Sequence, residues 1–314
     1  MASSDPTFYL HHYERSPYAQ KIRVMFGLTG HAWASVLSPM YPPRPNVEPL
    51  AGGYRRIPVA QIGADVFCDT ALIATEVAAL TGHAELAPQI PDPVARTLAE
   101  RAEGDVFFAG ITSVAPHRLL GSLLRSVGLM STIRFVRDRT GMMKGATVRP
   151  PRGAEAASLL DAYLSDLNDR LVEGSMLAGD APTYADFCAY HPIWLTLSVG
   201  GAPTLPSYPR VQEWMGRLDT LGQGDRREAT ADEAFAAATN AEPRPLPGDG
   251  QEHELLGHEV AVHPGDYGMI DTRGTLVAVT SERLVVARST ERLGTVHVHF
   301  PREGYEISAG EQQV

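Results

Sequence analysis

A serine–proline pair set just behind a short apolar run constrains this chain more than any other feature. Phe8-Tyr9-Leu10 reads as a strand, and Ser16-Pro17-Tyr18-Ala19-Gln20-Lys21-Ile22-Arg23 opens a helix behind it. Serine is a preferred N-cap and proline a preferred first helical residue. Ile22, Met25 and Phe26 share one helical face, with Lys21 and Arg23 off it, and Gly30 stands where a terminal glycine ends a helix. The Ser16 hydroxyl is thus placed at the positive end of a helix, where free N–H groups and the helix field favour an anion. Plain capping of the helix would use the same residue.

The next segments repeat the alternation. Ala34–Leu37 reads as a second strand, and residues 39–55, rich in proline and glycine, as a surface loop. Ile57-Pro58-Val59-Ala60-Gln61-Ile62 and Asp65-Val66-Phe67-Cys68 flank Gly63-Ala64 as a β-hairpin. Proline is tolerated at the start of a strand, and Pro58 is a natural place for a cis bond. Asp69-Thr70 then opens a helix with Ala71, Leu72, Ile73, Val77 and Leu80 apolar, and Gly82 closes it.

Strand, helix, strand, hairpin, helix is the thioredoxin-like order of glutathione transferases. Ser-Pro-Tyr-Ala-x-Lys-Ile-Arg resembles the first-helix motif of their serine-type and cysteine-type classes. Ile57-Pro58-Val59 resembles their cis-proline motif, and Asp69-Thr70-Ala71-Leu72-Ile73 their Glu/Asp-Ser-x-x-Ile motif. The three follow in the right order within about 60 residues. The chain therefore resembles the glutathione S-transferase superfamily over about residues 6–240.

Residues 83–240 change to long Ala/Leu-rich helical periodicity. Val94–Leu124 reads as one or two helices broken or kinked at Pro116, and residues 126–152 as a basic loop insertion. Glu155–Val172 carries Leu160, Leu164, Leu167 and Leu171 at helical spacing. Thr183 to Asp186 reads as a capping box, and the stretch from Gly179 resembles the family's second-domain box, a folding element. Tyr208–Trp214 resembles the family's late helix, and Thr230–Glu233 is a further capping box. A proline- and glycine-rich linker follows. Beyond it, Val260–Val262, Thr275–Val279, Arg283–Ala287 and Thr295–Phe300 are short β-type runs between turn residues. The expected architecture is a thioredoxin-like α/β N-terminal domain (1–82), an all-α helical-bundle domain (83–240), a linker (241–252) and a small all-β sheet or barrel module (253–314). The resemblance does not extend to that last module.

The formal net charge of −10 argues against a general nucleic-acid or anionic-membrane binder. The N-terminus shows no signal-peptide pattern, and the apolar stretch near Ile193–Val199 is too short to span a bilayer. Cys68 and Cys188 stand far apart and form no disulfide framework or zinc signature. A soluble cytoplasmic protein is expected, with no nucleic-acid or membrane partner.

The resemblance implies glutathione as co-substrate. A thiol of ordinary pKa, near 8.5, is mostly protonated at neutral pH, so such an enzyme must stabilise the thiolate. Ser16 stands at the position of the activating serine and would donate a charge-assisted hydrogen bond to sulfur. No mixed disulfide can form at a serine, which argues against thiol exchange. Val59, beside the cis-proline motif Ile57-Pro58, would pair with the cysteinyl backbone. Asp69 would take the γ-glutamyl ammonium, and Thr70 its carboxylate at a helix start. Arg56, or its neighbour Arg55, could meet the glycyl carboxylate.

Candidates for the acceptor side are Tyr13, Tyr18, Tyr41, Phe107, Phe108 and His117, with Tyr13 also a fallback activator. His297-Val-His299 imitates part of a cupin metal motif, His-x-His-x3-Glu-x6-Gly, but the preceding glycine is misplaced and a second motif is missing. No metal is expected. The implied function is delivery of the glutathione thiolate to an electrophilic small molecule by conjugation, dehalogenation, ether cleavage or isomerisation, in a homodimer. The alternative is a non-enzymatic binding, scaffold or regulatory protein worked by its β module.

Overall fold

The computed structural model describes residues 7–172, 174–246 and 248–310. The outer ends of the first and last expected regions, and Pro247 of the expected linker, lie outside the described residues.

The N-terminal unit runs β1 (Phe8–His12), α1 (Pro17–Thr29), β2 (Ala32–Leu37), α2 (Glu48–Ala51), β3 (Val59–Ile62), β4 (Asp65–Cys68) and α3 (Thr70–Thr81). β1 pairs parallel with β2 and antiparallel with β3, and β3 pairs antiparallel with β4. This is the thioredoxin-like core. The helices that follow are α4 (Pro93–Arg101), α5 (Phe107–Thr112), α6 (Pro116–Met142), α7 (Gly153–Arg170), α8 (Tyr184–Ser198) and α9 (Pro209–Asp219). The expected capping box forms at Thr183 and Asp186. The Asp186 carboxylate also accepts from Leu177 N and Trp214 Nε1, both at 2.9 Å.

Three features differ from the sequence reading. Lys21 and Arg23 are buried, not solvent-facing. α1 packs against α8 and α3, with Phe26 on Phe8 of β1, so Lys21 and Arg23 are covered and their polar groups are satisfied internally. Residues 126–142, expected as loop, are helical and belong to α6, in which Gly128 is the one non-helical residue (φ 76°, ψ 170°). A short strand, β5 (Asp225–Glu228), pairs parallel with β2. Its sequence Asp-Arg-Arg-Glu has no strand character, and it is a strand only because the β2 edge receives it.

After α10 (Ala231–Thr239) come β6 (Glu259–Pro264), β7 (Thr272–Val279), β8 (Arg283–Thr290), β9 (Gly294–Pro301) and β10 (Tyr305–Ala309). They form an antiparallel all-β module in the order β10-β6-β7-β8-β9. It is not a separate barrel. β9 pairs parallel with β4, Asp65 opposite His297 and Phe67 opposite His299, making one ten-stranded sheet. Val66 and Cys68 of β4 share a core with Val286, Val298 and Phe300. His299 Nε2 meets the Asp65 carboxylate at 2.8 Å, and Phe67 stacks on the His299 ring. Gly53 lets the Pro-rich loop pass the module, because a Cβ there would lie 2.2 Å from the Asp271 carbonyl oxygen.

The centre of the sheet holds two buried imidazoles on opposite faces. His11 Nε2 lies 3.1 Å from Gln61 Oε1. His12 accepts from Arg23 through Nδ1 at 3.0 Å and faces Ser35 Oγ through Nε2 at 3.0 Å, which suits the neutral ring. Burial holds His11 down to about 4, and burial with the Arg23 charge holds His12 down to about 3. The unfolded chain protonates both near 6.5, so the unfolded state binds more protons below that value. Stability is full above pH 6.5 and is lost as pH falls toward 4, with each histidine contributing up to about 3 kcal/mol. Urea unfolding across that window is expected to show this fall, and His12→Asn to make it shallower.

Candidate functional site

Ser16 sits where the sequence places it. Its backbone is extended (φ −73°, ψ 118°), its Oγ accepts from Ala19 N at 3.2 Å, and Pro17 begins the helix. Pro58 follows a cis peptide bond. The Ser16 hydroxyl points to the Ile57 carbonyl oxygen at 3.5 Å, so the helix terminus and the cis-proline turn meet at this one side chain. Val59 is placed differently. It lies in β3 between His11 of β1 and Cys68 of β4, and its backbone is flanked by strands on both edges. Ile57, outside the ladder, is the residue that faces Ser16.

Asp69 holds φ at 77°, a conformation that costs a non-glycine residue of the order of 1 kcal/mol and gathers at ligand sites. Its carboxylate caps α3 through Ala71 N at 3.0 Å and accepts from the Tyr305 hydroxyl of β10 at 3.1 Å. Tyr54 joins the Tyr305 hydroxyl at 3.1 Å. Arg56 pairs with Asp266, donates to the Tyr267 carbonyl at 2.8 Å and lies 4.3 Å from the Tyr267 ring centroid. Both charged residues assigned to glutathione are therefore met by the C-terminal module. Between them opens a cavity of about 500 Å3, walled by Arg56 and Asp69 on one side and by Asp266 and Glu303–Glu306 on the other. Arg55 instead pairs with Asp138 of α6.

Thr70 leads to a buried network that the sequence did not announce. Lys21, fully buried, places Nζ 3.5 Å from Thr70 Oγ1, 2.9 Å from the Tyr184 hydroxyl and 3.0 Å from Glu103 Oε1. His191 Nε2 reaches the same Glu103 oxygen at 2.8 Å. Glu103 stands on a π-helical turn (Ala102–Val106), broken at Gly104, between α4 and α5. Such turns inside helices occur often at functional sites. Burial would raise the Glu103 carboxyl, but Lys21 and His191 overcome it and hold the group well below the usual range. Burial likewise would lower Lys21, and Cys188, Glu103 and Tyr184 reverse it. Of these only Glu103 is charged at neutral pH, since burial pushes the Cys188 thiol to about 12.

The acceptor candidates divide. Tyr18 packs on Phe107 (centroids 4.8 Å apart) and on His191 (4.7 Å), and Phe108 meets the Tyr267 ring at 5.7 Å. These form one aromatic wall with Tyr267 from the module. Tyr13 accepts from Arg139 of α6 at 3.3 Å, and Tyr41 is bonded by Ser131 and Arg134 of the same helix. His117 is exposed at the start of α6. Sequence reasoning missed Glu103, His191, Asp266, Tyr267 and Tyr305. The Glu103-Gly104 step in a helical run was the available signal for the first. Nothing in the last three points to a site 200 residues upstream. Among the described residues, no three His, Cys, Asp or Glu side chains cluster to hold a metal ion.

Residues 10–84 match the model of the glutathione S-transferase N-terminal domain, and residues 147–220 that of its C-terminal domain. The chain belongs to the glutathione S-transferase superfamily. No curated protein matches it significantly. Among solved structures, a GST-like protein from Pseudomonas syringae is 29% identical, with a TM-score of 0.74, over 96% of this chain and 99% of that one. A match that long takes in the C-terminal strands as well as both transferase domains. A glutathione S-transferase from Rhodospirillum rubrum is 18% identical, with a TM-score of 0.48, over 68% of this chain and 88% of that one. One from Xanthobacter autotrophicus is 20% identical, with a TM-score of 0.43, over 69% and 95%.

In this transferase-family chain the Lys21 network ties α1 to the π-turn and α8. Lys21→Met leaves the half-buried Glu103 carboxylate against His191 with no cation. A loss of about 2–3 kcal/mol is expected, toward the low end for a broken buried pair because Glu103 is 31% exposed. Thermal unfolding measures it, and the double variant Lys21→Met/Glu103→Gln should recover part of the loss.

Proposed function

We propose that this protein is a glutathione transferase-type enzyme that binds glutathione, ionises its thiol beside Ser16 and delivers the thiolate to an electrophilic small molecule. The observation that carries this reading is the meeting of Ser16 Oγ, at the N-terminus of α1, with the Ile57 carbonyl of the cis-proline turn. The hydroxyl is held where an extended cysteinyl backbone beside Ile57 would bring its sulfur. A hydroxyl donor and the α1 field both favour the anion over the thiol. Asp69 is a carboxylate for the γ-glutamyl ammonium, and the α3 N-terminus with Thr70 serves the carboxylate. Arg56 serves the glycyl end, shared with Asp266. The aromatic wall of Tyr18, Phe107, Phe108 and Tyr267 suits an apolar acceptor. Burial pushes the Tyr18 phenol well up, so it stays protonated as a donor. A homodimer belongs to this reading by family resemblance.

A second reading, a non-enzymatic binding protein on this fold, is favoured by one observation. Asp69 and Arg56 already have partners in Tyr305 and Asp266. Glutathione decides between them. Retention on immobilised glutathione, with a thiolate absorbance titration midpoint below the free value of about 8.5, supports the enzyme. No retention at millimolar glutathione overturns it. Ser16→Ala is expected to keep glutathione binding and lose turnover by about a hundredfold, as for loss of one oriented donor to a developing anion. Asp69→Asn is expected to weaken glutathione binding by about tenfold or more.

A further inference from the structure

We propose that the outer face of α6 docks the protein onto an anionic lipid surface. α6 lies between the two matched family segments, which end at residue 84 and resume at residue 147. It is apolar enough in composition to resemble a core helix, yet almost none of it is buried. Leu129 is 66% exposed, Met130 62%, Ile133 52% and Val136 47%. Leu129, Ile133 and Val136 stand at helical i, i+4, i+7 spacing, so they form one continuous patch. Arg137 extends the same stripe one turn after Ile133, and Arg125 precedes it on the far side of the Gly128 break. Both are exposed, and neither makes an ion pair among the described residues.

The charge of this helix is opposite to that of the whole. It carries five arginines and a single carboxylate, Asp138, in a chain of net charge −10. Asp138 is turned inward onto Arg55. An apolar stripe bracketed by outward cations is the chemistry of a helix lying in a membrane interface, its apolar side chains below the headgroups and its arginines among the phosphates. The inner face of the helix is fastened to the transferase core. Arg15 donates to Ser126, and Arg139 donates to Tyr13 and to the Met40 carbonyl at 3.1 Å. With Gly128 breaking the helix, the segment beyond it is about 14 residues, too short to cross a bilayer. The helix therefore lies flat. A second copy of the chain fits the face less well. A two-fold contact would bring the exposed arginines of the two copies together, with the helix's one carboxylate, Asp138, already turned onto Arg55. Docking in this way would hold the transferase core, to which α6 is fastened through Arg15, Tyr13 and Arg55, against the bilayer, where apolar electrophiles concentrate.

Flotation with phosphatidylcholine vesicles, with and without phosphatidylglycerol, tests this on the full chain. The wild type is expected to float with the anionic vesicles, to remain in solution with neutral ones, and to be released by high salt. Leu129→Glu/Ile133→Glu is expected to lower anionic-vesicle binding by about tenfold or more. Arg125→Gln/Arg137→Gln, which keeps the apolar stripe, should lower it severalfold. Unchanged thermal midpoints show that both variants are folded. The proposal is overturned if the wild type ignores anionic vesicles, binds neutral ones equally, or keeps its binding in both double variants. It is also overturned if light scattering shows a dimer that Leu129→Glu/Ile133→Glu dissolves while vesicle binding is absent.

Discussion

The open edge of β4 is the constraint on which the arrangement of this molecule depends. A thioredoxin-like sheet that ends in an apolar strand leaves a row of backbone N–H and C=O groups needing partners. Here β9 takes that edge over the register Asp65–Phe67, and the sheet continues through four more strands of the module. Because β4 runs directly into Asp69, whatever pairs with β4 is carried to the candidate glutathione site. Tyr305 and Asp266 reach Asp69 and Arg56 for this reason. A module fastened by a flexible linker alone would have no fixed relation to those residues. Asp65 reinforces the junction by binding His299 on one strand and Arg244 N, at 2.9 Å, on the incoming chain.

The second junction is between the sheet unit and the helical domain. It is made of charge in a place where charge is costly. Lys21, Glu103 and His191 come from α1, the π-turn and α8, and they share one carboxylate oxygen. A buried ammonium is tolerated only when its charge and its donors are met. Glu103, Tyr184 and Thr70 meet them here. The network touches Thr70 at one end and the Tyr18 wall at the other. The same atoms that hold the two domains together thus line both halves of the candidate site.

Local chemistry was legible where it acts over a few residues. The Ser16-Pro17 cap, the hairpin at Gly63, the Thr183–Asp186 box and the strand runs of the module all follow from short-range preferences, and all are present. Local preference failed where a partner far along the chain decides the outcome. Lys21 and Arg23 have the composition of a wet face, but α8 covers them. Asp225–Glu228 has no strand propensity, but β2 recruits it. Residues 126–142 are broken by glycine and loaded with arginine, yet their backbone remains helical on both sides of Gly128.

The sequence by itself determined the thioredoxin-like order, the helical second domain, the existence of a β module, and the placing of Ser16 at a helix start behind a cis-proline turn. These rest on capping, periodicity and turn chemistry, which are written within a few residues of where they act. Only the tertiary structure decided that the module continues the same sheet, that Tyr305 and Asp266 meet Asp69 and Arg56, and that Ile57 rather than Val59 faces Ser16. It also brought Lys21, Glu103 and His191 onto one point. The physical reason is that edge pairing and charge burial depend on which surfaces meet, and residues 65 and 297 carry no mark in sequence that they will lie side by side.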